Sequence, residues 1–395
     1  MSGRARKDTS STVADRSVHS SGQFEVWQRR ISTAFALIGP AVLAAALTTW
    51  SRPAGAHVKW FAPYEVGVAP RPIGETLTDP WFCFAIALVL GFFVVTCAVE
   101  GTKVGQSLIA GIDRVTGPIW RRADDFMRAM VAAFFVAIFA VGGVYLTPEL
   151  VTRSEWVAWA QLLIAAGILS RKTAPVSAAG IVALCLIALR DYDLFHLLDY
   201  LPLVIGVAAY LVLESSSNPD WRKHRFKILR WTVAIALMWS SLEKFAYPDW
   251  FYPLIEEEPA ITFGMPRDVY ITMAGVTEFT LGFGLIWTPL VWRLSAIALV
   301  AVLNVAVFWF GRIEFVGHML TVAALVTIAA DREQTVHFLP ALKRPLAGVP
   351  VGIASALMIF GAGYWGLHAA IYGPEGRVVS NGEMASQSEP RPTRP

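Results

Sequence analysis

Long blocks of apolar residues, separated by short polar segments, run along most of the chain. A helix needs roughly 20 residues to cross the ~30 Å hydrocarbon core of a bilayer, and such blocks are too uncharged for core helices of a soluble protein. The pattern therefore predicts an all-α, polytopic membrane protein with eleven transmembrane helices. The predicted spans are 32–49, 81–99, 125–146, 154–170, 174–189, 195–213, 228–245, 269–287, 291–311, 315–330 and 348–371.

Polar segments divide the chain into domains. The start of the chain has no apolar stretch beside its charges, which argues against a signal peptide and predicts a disordered arm. The loop at about 50–80 is rich in proline, which fixes φ and removes donors, so we expect irregular structure there. The predicted domains are 1–31 (arm), 32–124 (N-terminal hairpin), 125–214 (first four-helix unit), 228–331 (second four-helix unit), 348–371 (C-terminal helix) and 374–395 (disordered tail).

The placement of Lys and Arg predicts the orientation. With a cytoplasmic N-terminus, nearly every cytoplasmic segment is basic, as in Arg121-Arg122, whereas the opposite segments hold scattered residues such as Arg52. An odd number of spans then puts the C-terminus in the periplasm. We expect a multi-pass protein of the cell inner (cytoplasmic) membrane, with the lipid bilayer as its partner.

Composition narrows the possible functions. Hydrophobic residues make up 55% of the chain and charged residues 16%, and the net charge is only +3. The three cysteines, Cys83, Cys97 and Cys185, fall inside predicted spans without metal-ligand spacing, so we expect packing roles and no disulfide framework. The chain lacks a nucleotide-binding loop, a serine nucleophile elbow and a dinucleotide fingerprint, and we expect no nucleic-acid partner.

The two four-helix units share a pattern that predicts an internal repeat. Each unit has four predicted spans, so the copies are expected to be parallel repeats, with a shared site at their junction. The matched positions are Gln161 with Glu278, Gly167 with Gly284, Arg171 with Arg293, Arg190 with Arg312, His196 with His318, and Pro148-Glu149 with Pro248-Asp249.

The second unit also carries a family resemblance. Its motif residues are Lys244 and Pro248 at the end of its first helix, Pro266 before its second, Glu278 and Gly282-x-Gly284 within that helix, then Arg293 and His318. In these residues it resembles the DoxX-like family of small four-helix membrane proteins, over about a quarter of the chain. The resemblance implies an inner-membrane protein often linked to redox work, including quinone-linked oxidation of sulfur compounds, with 125–214 as a divergent copy.

Ionisable groups inside a membrane are costly, so each is a candidate functional residue. Glu278 lies near the middle of its predicted span and is expected to be buried and paired. Its candidate partners are Lys244, Asn304 and His318.

Histidines near the periplasmic face form the second group of candidates. Glu314 and His318 are spaced i, i+4 and share a helix face, whereas His196 can meet either Asp193 or Asp199. A neighbouring carboxylate fixes the tautomer of a histidine and tunes it as a proton carrier. His57 and His368 are predicted at the same face. The alternative interpretation is that these groups only fix the ends of helices.

Three functions remain open from the sequence. The first is a membrane-bound oxidoreductase subunit that binds a quinone or a haem and works with a periplasmic or membrane redox partner subunit. The second is a proton-coupled small-molecule transporter, and the third is a non-catalytic assembly or anchor protein. The candidate catalytic residues are Glu278, His318 and Glu314, and the candidate cofactor-binding residues are His196, His318, Lys244 and Asn304, with no assignment of a metal site.

Overall fold

A computed structural model describes residues 64–333 and 345–376 of the chain. These residues belong to one compact unit, Ser51–Pro395. The predicted arm, the predicted span 32–49 and His57 lie outside the described residues, as does the predicted tail beyond residue 376. The description below therefore concerns residues 64–333 and 345–376.

The described residues are helical, with two isolated β-bridges that join Val68 to Gly376 and Val144 to Val151. The longer helices are α1 (Pro80–Glu100), α2 (Lys103–Trp120), α3 (Ala123–Val141), α4 (Trp156–Ile168), α5 (Ala174–Ala188), α6 (Leu201–Ser215), α7 (Arg225–Ser240), α8 (Arg267–Gly284), α9 (Pro289–Phe310), α10 (Arg312–Ala330) and α11 (Pro345–Tyr372). Short helices span Ile73–Thr78, Leu194–Leu197, Pro219–Arg222, Glu243–Ala246 and Tyr252–Glu257, and 3₁₀ turns span Pro248–Phe251 and Pro259–Thr262.

Local chemistry explains where several helices begin and end. The side chain of Asp79 accepts a hydrogen bond from the backbone N–H of Trp81 at 2.7 Å, and Pro80 occupies the first position of α1. Gly311 is the single residue between α9 and α10, with φ of 78°. A left-handed backbone of this kind favours glycine, so this tight connection depends on the missing side chain.

Among the described residues, four helices are long and apolar enough to cross a membrane: α1, α9, α10 and the Ala347–Tyr372 part of α11. One face of α1 carries large apolar side chains that are each at least 48% exposed. These side chains are Trp81, Phe84, Leu88, Phe92 and Val95. An apolar face of this size is stable in hydrocarbon and costly in water, which indicates a lipid bilayer environment.

The other predicted spans of the described region also coincide with helices, α3 to α8. The apolar helices α4, α5 and α6 have 13, 15 and 15 residues. At 1.5 Å per residue these helices reach about 20–23 Å, less than the ~30 Å of a bilayer core. Four described helices are both long enough and apolar enough to cross a membrane. The rest of the eleven-span topology stays a prediction.

Helix α2 lies where the sequence suggested only a polar segment of the N-terminal hairpin. It exposes Val104, Leu108 and Val115 on one face and packs against α9 and α10. Such an amphipathic pattern is typical of a helix at a membrane interface. Helix α2 also places Asp113 beside Arg293, as described below.

The packing order of the helices positions the candidate residues. Each helix from α3 to α10 packs on the next helix in the chain, and α10 returns to pack on α3. These eight helices therefore form a closed cycle of neighbours. Helix α1 packs against α8, α9 and α11, so it lies outside this cycle, next to the second unit.

Candidate functional site

Four ionisable side chains gather in the second unit, where the connection after α7 and the start of α10 approach the interior of α8. Lys244 lies in the short helix that follows α7, Glu278 lies in α8, and Glu314 and His318 lie in the first two turns of α10. We call Lys244, Glu278, Glu314 and His318 the second-unit polar cluster. The sequence singled out all four as candidates, and the structure brings them together.

Glu278 is paired with Lys244. Its Oε2 accepts a hydrogen bond from Nζ of Lys244 at 2.5 Å, and its Oε1 accepts one from the Ser240 hydroxyl at 3.4 Å. The side chains of Lys244 and Glu278 are 19% and 25% exposed. The carboxylate is thus partly exposed rather than buried as the sequence predicted.

Glu314 and His318 form the second pair of the cluster. Nε2 of His318 lies 2.8 Å from Oε1 of Glu314, as the i, i+4 spacing predicts. Glu314 is buried, and its Oε2 has no hydrogen-bond partner among the described residues. His318 is also within electrostatic range of Lys244 and Glu278. The two pairs therefore lie close enough for their charges to influence each other.

The connection between α7 and α8 contacts this cluster at Lys244. Leu254, Ile255 and Ile261 pack with Ile271 and Phe310 in a small apolar core of their own. The ring of Phe251, which packs against the same core, lies 5.1 Å from Nζ of Lys244. The loop thus gives the cluster an aromatic and apolar border.

Tyr252 belongs to the same loop and is uncharged at neutral pH. Burial and the carboxylates of Asp268 and Asp249 raise the pKa of Tyr252 to about 12. Its ring lies 3.9 Å from the guanidinium carbon of Arg267. The hydroxyl therefore remains a hydrogen-bond donor over the physiological pH range.

His196 belongs to a separate set of contacts in the first unit. Its Nε2 lies 2.6 Å from Oε1 of Glu149 and 3.3 Å from the hydroxyl of Tyr64. Both side chains of the His196–Glu149 pair are buried, and neither carboxylate oxygen has a hydrogen-bond partner among the described residues. The sequence had suggested Asp193 or Asp199 as the partner; instead, Asp193 caps the short helix by accepting from the backbone N–H of His196.

Aromatic side chains connect His196 to the second unit. The ring of Tyr64 contacts His196 at 5.4 Å and Trp250 at 5.7 Å between centroids. Trp250 in turn stacks on Tyr247 at 4.0 Å, and the Tyr247 hydroxyl donates to the carbonyl of Val68 at 3.0 Å. The segment that contains Tyr64 and Val68 therefore contacts the first-unit pair and is anchored to the second unit.

Two other candidates lie apart from these groups. Asn304 is exposed on α9, and its amide donates to the carbonyl of Val300 in its own helix, so the structure does not bring it to Glu278. His368 is buried on α11, and its Nε2 lies 3.0 Å from the carbonyl of Val66. This contact anchors the segment that contains Val66 and gives His368 a structural role.

Glu149 is the functional candidate that the sequence did not reveal. In the sequence it marks only the end of a helix, as part of Pro148-Glu149. The sequence feature that could have identified Glu149 is its apolar surroundings, because Tyr145 and Leu146 precede it and apolar residues follow it. An acidic residue inside an otherwise apolar loop is costly unless it has a partner, so that setting predicts burial against a cation.

The geometry can be compared with the cofactors that the sequence suggested. Haem ligation by His196 and His318 would have to use Nδ1 of each ring, because each Nε2 lies against a carboxylate. A quinone requires hydrogen-bond donors beside an apolar surface, and Lys244, His318 and Phe251 provide both. Within the described residues, no group of His, Cys, Asp and Glu has the arrangement of a metal site.

Comparison with known proteins does not identify a family for this chain. No family model, curated protein or solved structure matches the chain. The likeness to the DoxX-like family therefore stays a resemblance, carried by residues such as Lys244, Glu278 and His318.

Proposed function

We propose that the chain is a multi-pass inner-membrane protein of eleven spans, built from two parallel four-helix repeats. The proposal places the N-terminus in the cytoplasm and the C-terminus in the periplasm, because of the Lys and Arg asymmetry. The cyclic packing of α3 to α10 supports it, since the four helices of the first unit are followed around the cycle by the four helices of the second unit in the same order.

A pair of arginine contacts supports the repeat. Nη2 of Arg171 donates to the backbone carbonyl of Glu214 at 3.3 Å. Nη2 of Arg293 donates to the backbone carbonyl of Asp331 at 2.6 Å. Each acceptor is an acidic residue at the C-terminal end of the last helix of its unit. Duplication explains why the same contact occurs at matching places.

The contacts of Gln161 and Glu278 match in the same way. Both residues lie in the second helix of their units, and both reach back to the segment at or after the end of the first helix. Gln161 donates to the carbonyls of Val144 and Tyr145 at 2.6 and 2.8 Å, while Glu278 accepts from Lys244. The first unit thus has a neutral amide where the second has an ion pair, which supports a working site in the second unit.

We propose further that this protein is a quinone-linked redox subunit whose head-group site is the second-unit polar cluster. The observation that carries this proposal is the partly exposed Lys244–Glu278 ion pair beside the Glu314–His318 pair and the ring of Phe251. A bound quinone would supply two-electron chemistry coupled to two protons. Lys244 and His318 are suited to donate hydrogen bonds to its carbonyl oxygens, and Glu278 and Glu314 to exchange protons with them.

The test is to purify the full chain in detergent, extract it with organic solvent, and quantify quinone before and after incubation with added quinone. Wild-type protein is expected to retain or take up quinone in stoichiometric amount. Glu278→Gln and His318→Ala are expected to accumulate normally and to lose it. Asn304→Ala is the matched control. The Asn304 side chain is polar and exposed, and its hydrogen bond is to Val300 in its own helix rather than to the cluster. A wild-type protein that neither holds nor takes up quinone would contradict the proposal.

A proton-coupled small-molecule transporter is the second candidate, and the partial exposure of the Lys244–Glu278 pair also favours it. A substrate that separates this ion pair would change the protonation of its carboxylate. In liposomes that contain no quinone, such a protein would carry solute together with protons. The Glu278→Gln substitution would stop this proton movement. The third candidate, an assembly or anchor protein, predicts that neither assay responds to these substitutions.

A further inference from the structure

A strongly basic cavity lies at the other set of loops, where α3 and α7 begin and α6 ends. Its volume is ≈ 350 Å³, near the lower end of ordinary ligand pockets at about 300–1,000 Å³. Three carboxylates line it: Asp124, Asp125 and Glu214. Six arginines also line it: Arg121, Arg122, Arg128, Arg171, Arg222 and Arg225. Six positive and three negative charges leave an excess of three positive charges.

Asp124 is fully engaged inside this cavity. It accepts from Nε of Arg225 at 2.7 Å, from Nη2 of Arg222 at 3.0 Å and from the hydroxyl of Tyr210 at 3.1 Å. Burial opposes its ionisation, but the bonds from Arg225 and Arg222 outweigh burial and lower the pKa of this carboxyl below its ordinary value. The carboxylate is therefore charged at neutral pH and has no capacity to neutralise further arginines.

Several guanidinium groups retain donors for a ligand. Arg121 and Arg122 are exposed and form no ion pair within the described part of the chain. Nε of Arg128 and Nε of Arg222 are buried without a hydrogen-bond partner among the described residues. The first turn of α3 also borders the cavity, and its N-cap residue, Arg122, makes no side-chain capping bond. Backbone N–H groups at such a helix start favour an anion.

The matching region of the second unit has balanced charges. Asp113 of α2 accepts from Nη1 of Arg293 at 2.8 Å and lies 3.8 Å from Arg332. Arg230 lies 3.5 Å from Asp331 and 3.6 Å from Glu333. Three arginines there meet three carboxylates.

The difference between the two regions is concentrated at Arg171 and Arg293. Both donate to the carbonyl of the residue at the end of a helix, but the Arg293 side chain is 0% exposed and that of Arg171 is 44% exposed. Asp113 of α2 supplies Arg293 with a carboxylate from outside its own helical unit. Arg171 has Glu214 alone among the described residues.

We propose that the basic cavity binds a phosphate group, carried either by an anionic lipid head group or by a soluble phosphate compound. A guanidinium fork binds two phosphate oxygens at once, and the negative charge of a phosphate offsets part of the local excess. In the proposed orientation the cavity opens at the cytoplasmic side, where both kinds of ligand occur. This inference does not depend on the proposed quinone site, which uses the opposite set of loops.

The experiment uses the full-length protein in a neutral detergent and measures the thermal midpoint while each of three probes is titrated. The probes are inorganic phosphate, short-chain phosphatidylglycerol and short-chain phosphatidylcholine. The Arg121→Gln/Arg122→Gln double variant should fold normally, because both side chains are exposed, and should bind about tenfold more weakly, equivalent to ~1.4 kcal/mol. Arg114→Gln is the matched control, since Arg114 is an exposed arginine of α2 outside the cavity. It should bind like wild type.

The outcomes separate the sources of the phosphate group. Stabilisation by inorganic phosphate supports a soluble ligand, and stabilisation by phosphatidylglycerol alone supports a lipid head group. Failure of both anionic probes to shift the wild-type midpoint would overturn the proposal. Equal binding by wild type and the double variant would also overturn it, because the effect would then come from elsewhere on the protein.

Discussion

Nε2 of His196 and Oε1 of Glu149 lie 2.6 Å apart in a buried setting where the carboxylate has no hydrogen bond from another described residue. The pair joins the loop between α3 and α4 to the short helix before α6, which are distant in the sequence. A buried carboxylate is tolerated only beside a partner, so each residue depends on the other. This mutual dependence can be measured.

We predict that His196→Ala destabilises the protein by roughly 3–5 kcal/mol, since it leaves the Glu149 carboxylate buried and unpaired. The double variant His196→Ala/Glu149→Gln should regain part of that loss, because glutamine carries no charge. Thermal unfolding in detergent, followed for wild type, both single variants and the double variant, gives the coupling between the two sites. Additive losses would show that the short contact contributes nothing.

We predict weaker coupling at the Lys244–Glu278 pair, because both side chains are partly exposed. Lys244→Met and Glu278→Gln should each cost about 1–3 kcal/mol, the usual range for a polar group that loses its partner. Asn304→Ala should change the unfolding midpoint little, since it removes one bond on an exposed helix face. A loss at Asn304 as large as that at Glu278 would contradict this account of the cluster.

Much of the fold could be predicted from the sequence, since apolar blocks dictate helices. The predicted span 81–99 corresponds to α1, Pro80–Glu100, and its apolar exposed face shows why a hydropathy pattern finds such a helix. The i, i+4 pairing of Glu314 and His318 was equally accessible, because helix geometry alone brings such residues together. Local rules were sufficient in both cases.

The contacts that escaped prediction depend on distant parts of the chain. Glu149 reaches His196, and Asp113 reaches Arg293, through tertiary packing that no local spacing encodes. Helix α2 escaped for a different reason. It is amphipathic, so a search for long apolar blocks passes over it, although the 3.6-residue spacing of Val104, Leu108 and Val115 is a visible signal.

The tight connection between α1 and α2 gives a further prediction. A Cβ added at Gly105 would lie 2.2 Å from the Val99 carbonyl oxygen and 2.5 Å from Cα of Glu100, and backbone atoms there cannot move aside cheaply. Gly105→Ala should therefore cost at least about 1–3 kcal/mol, as overpacking does. Gly101→Ala is the matched control, because its Cβ would meet only the Ala98 carbonyl oxygen at 3.7 Å. Similar unfolding midpoints for the two variants would contradict the predicted clash.

The proposed orientation predicts the result of reporter fusions. A reporter that is active only in the periplasm should be silent when fused after Glu214 and active when fused after Gly373. A second reporter that is active only in the cytoplasm should give the opposite pattern, which guards against fusions that fail to accumulate. Activity after Glu214 together with silence after Gly373 would reverse the orientation derived from the Lys and Arg residues.

The proposed repeat predicts equivalent steric coupling at two glycine–serine contacts. A Cβ added at Gly167 would lie 2.2 Å from Oγ of Ser177, and one added at Gly284 would lie 2.1 Å from Oγ of Ser295. Each contact joins the second helix of a unit to the third. Gly167→Ala and Gly284→Ala should each lower stability by about 1–3 kcal/mol.

Removal of the facing hydroxyl should then restore stability only in the matched pair. Ser177→Ala should rescue Gly167→Ala, whereas Ser295→Ala should not, which makes the mismatched double variant the control. Rescue of Gly284→Ala by Ser295→Ala should be smaller, because Cζ of Phe93 from α1 would still lie 3.0 Å from the new methyl group. Unfolding midpoints of the four double variants provide the measurement. If only one of the two matched pairs shows rescue, the two contacts are not equivalent, and the repeat loses one of its supports.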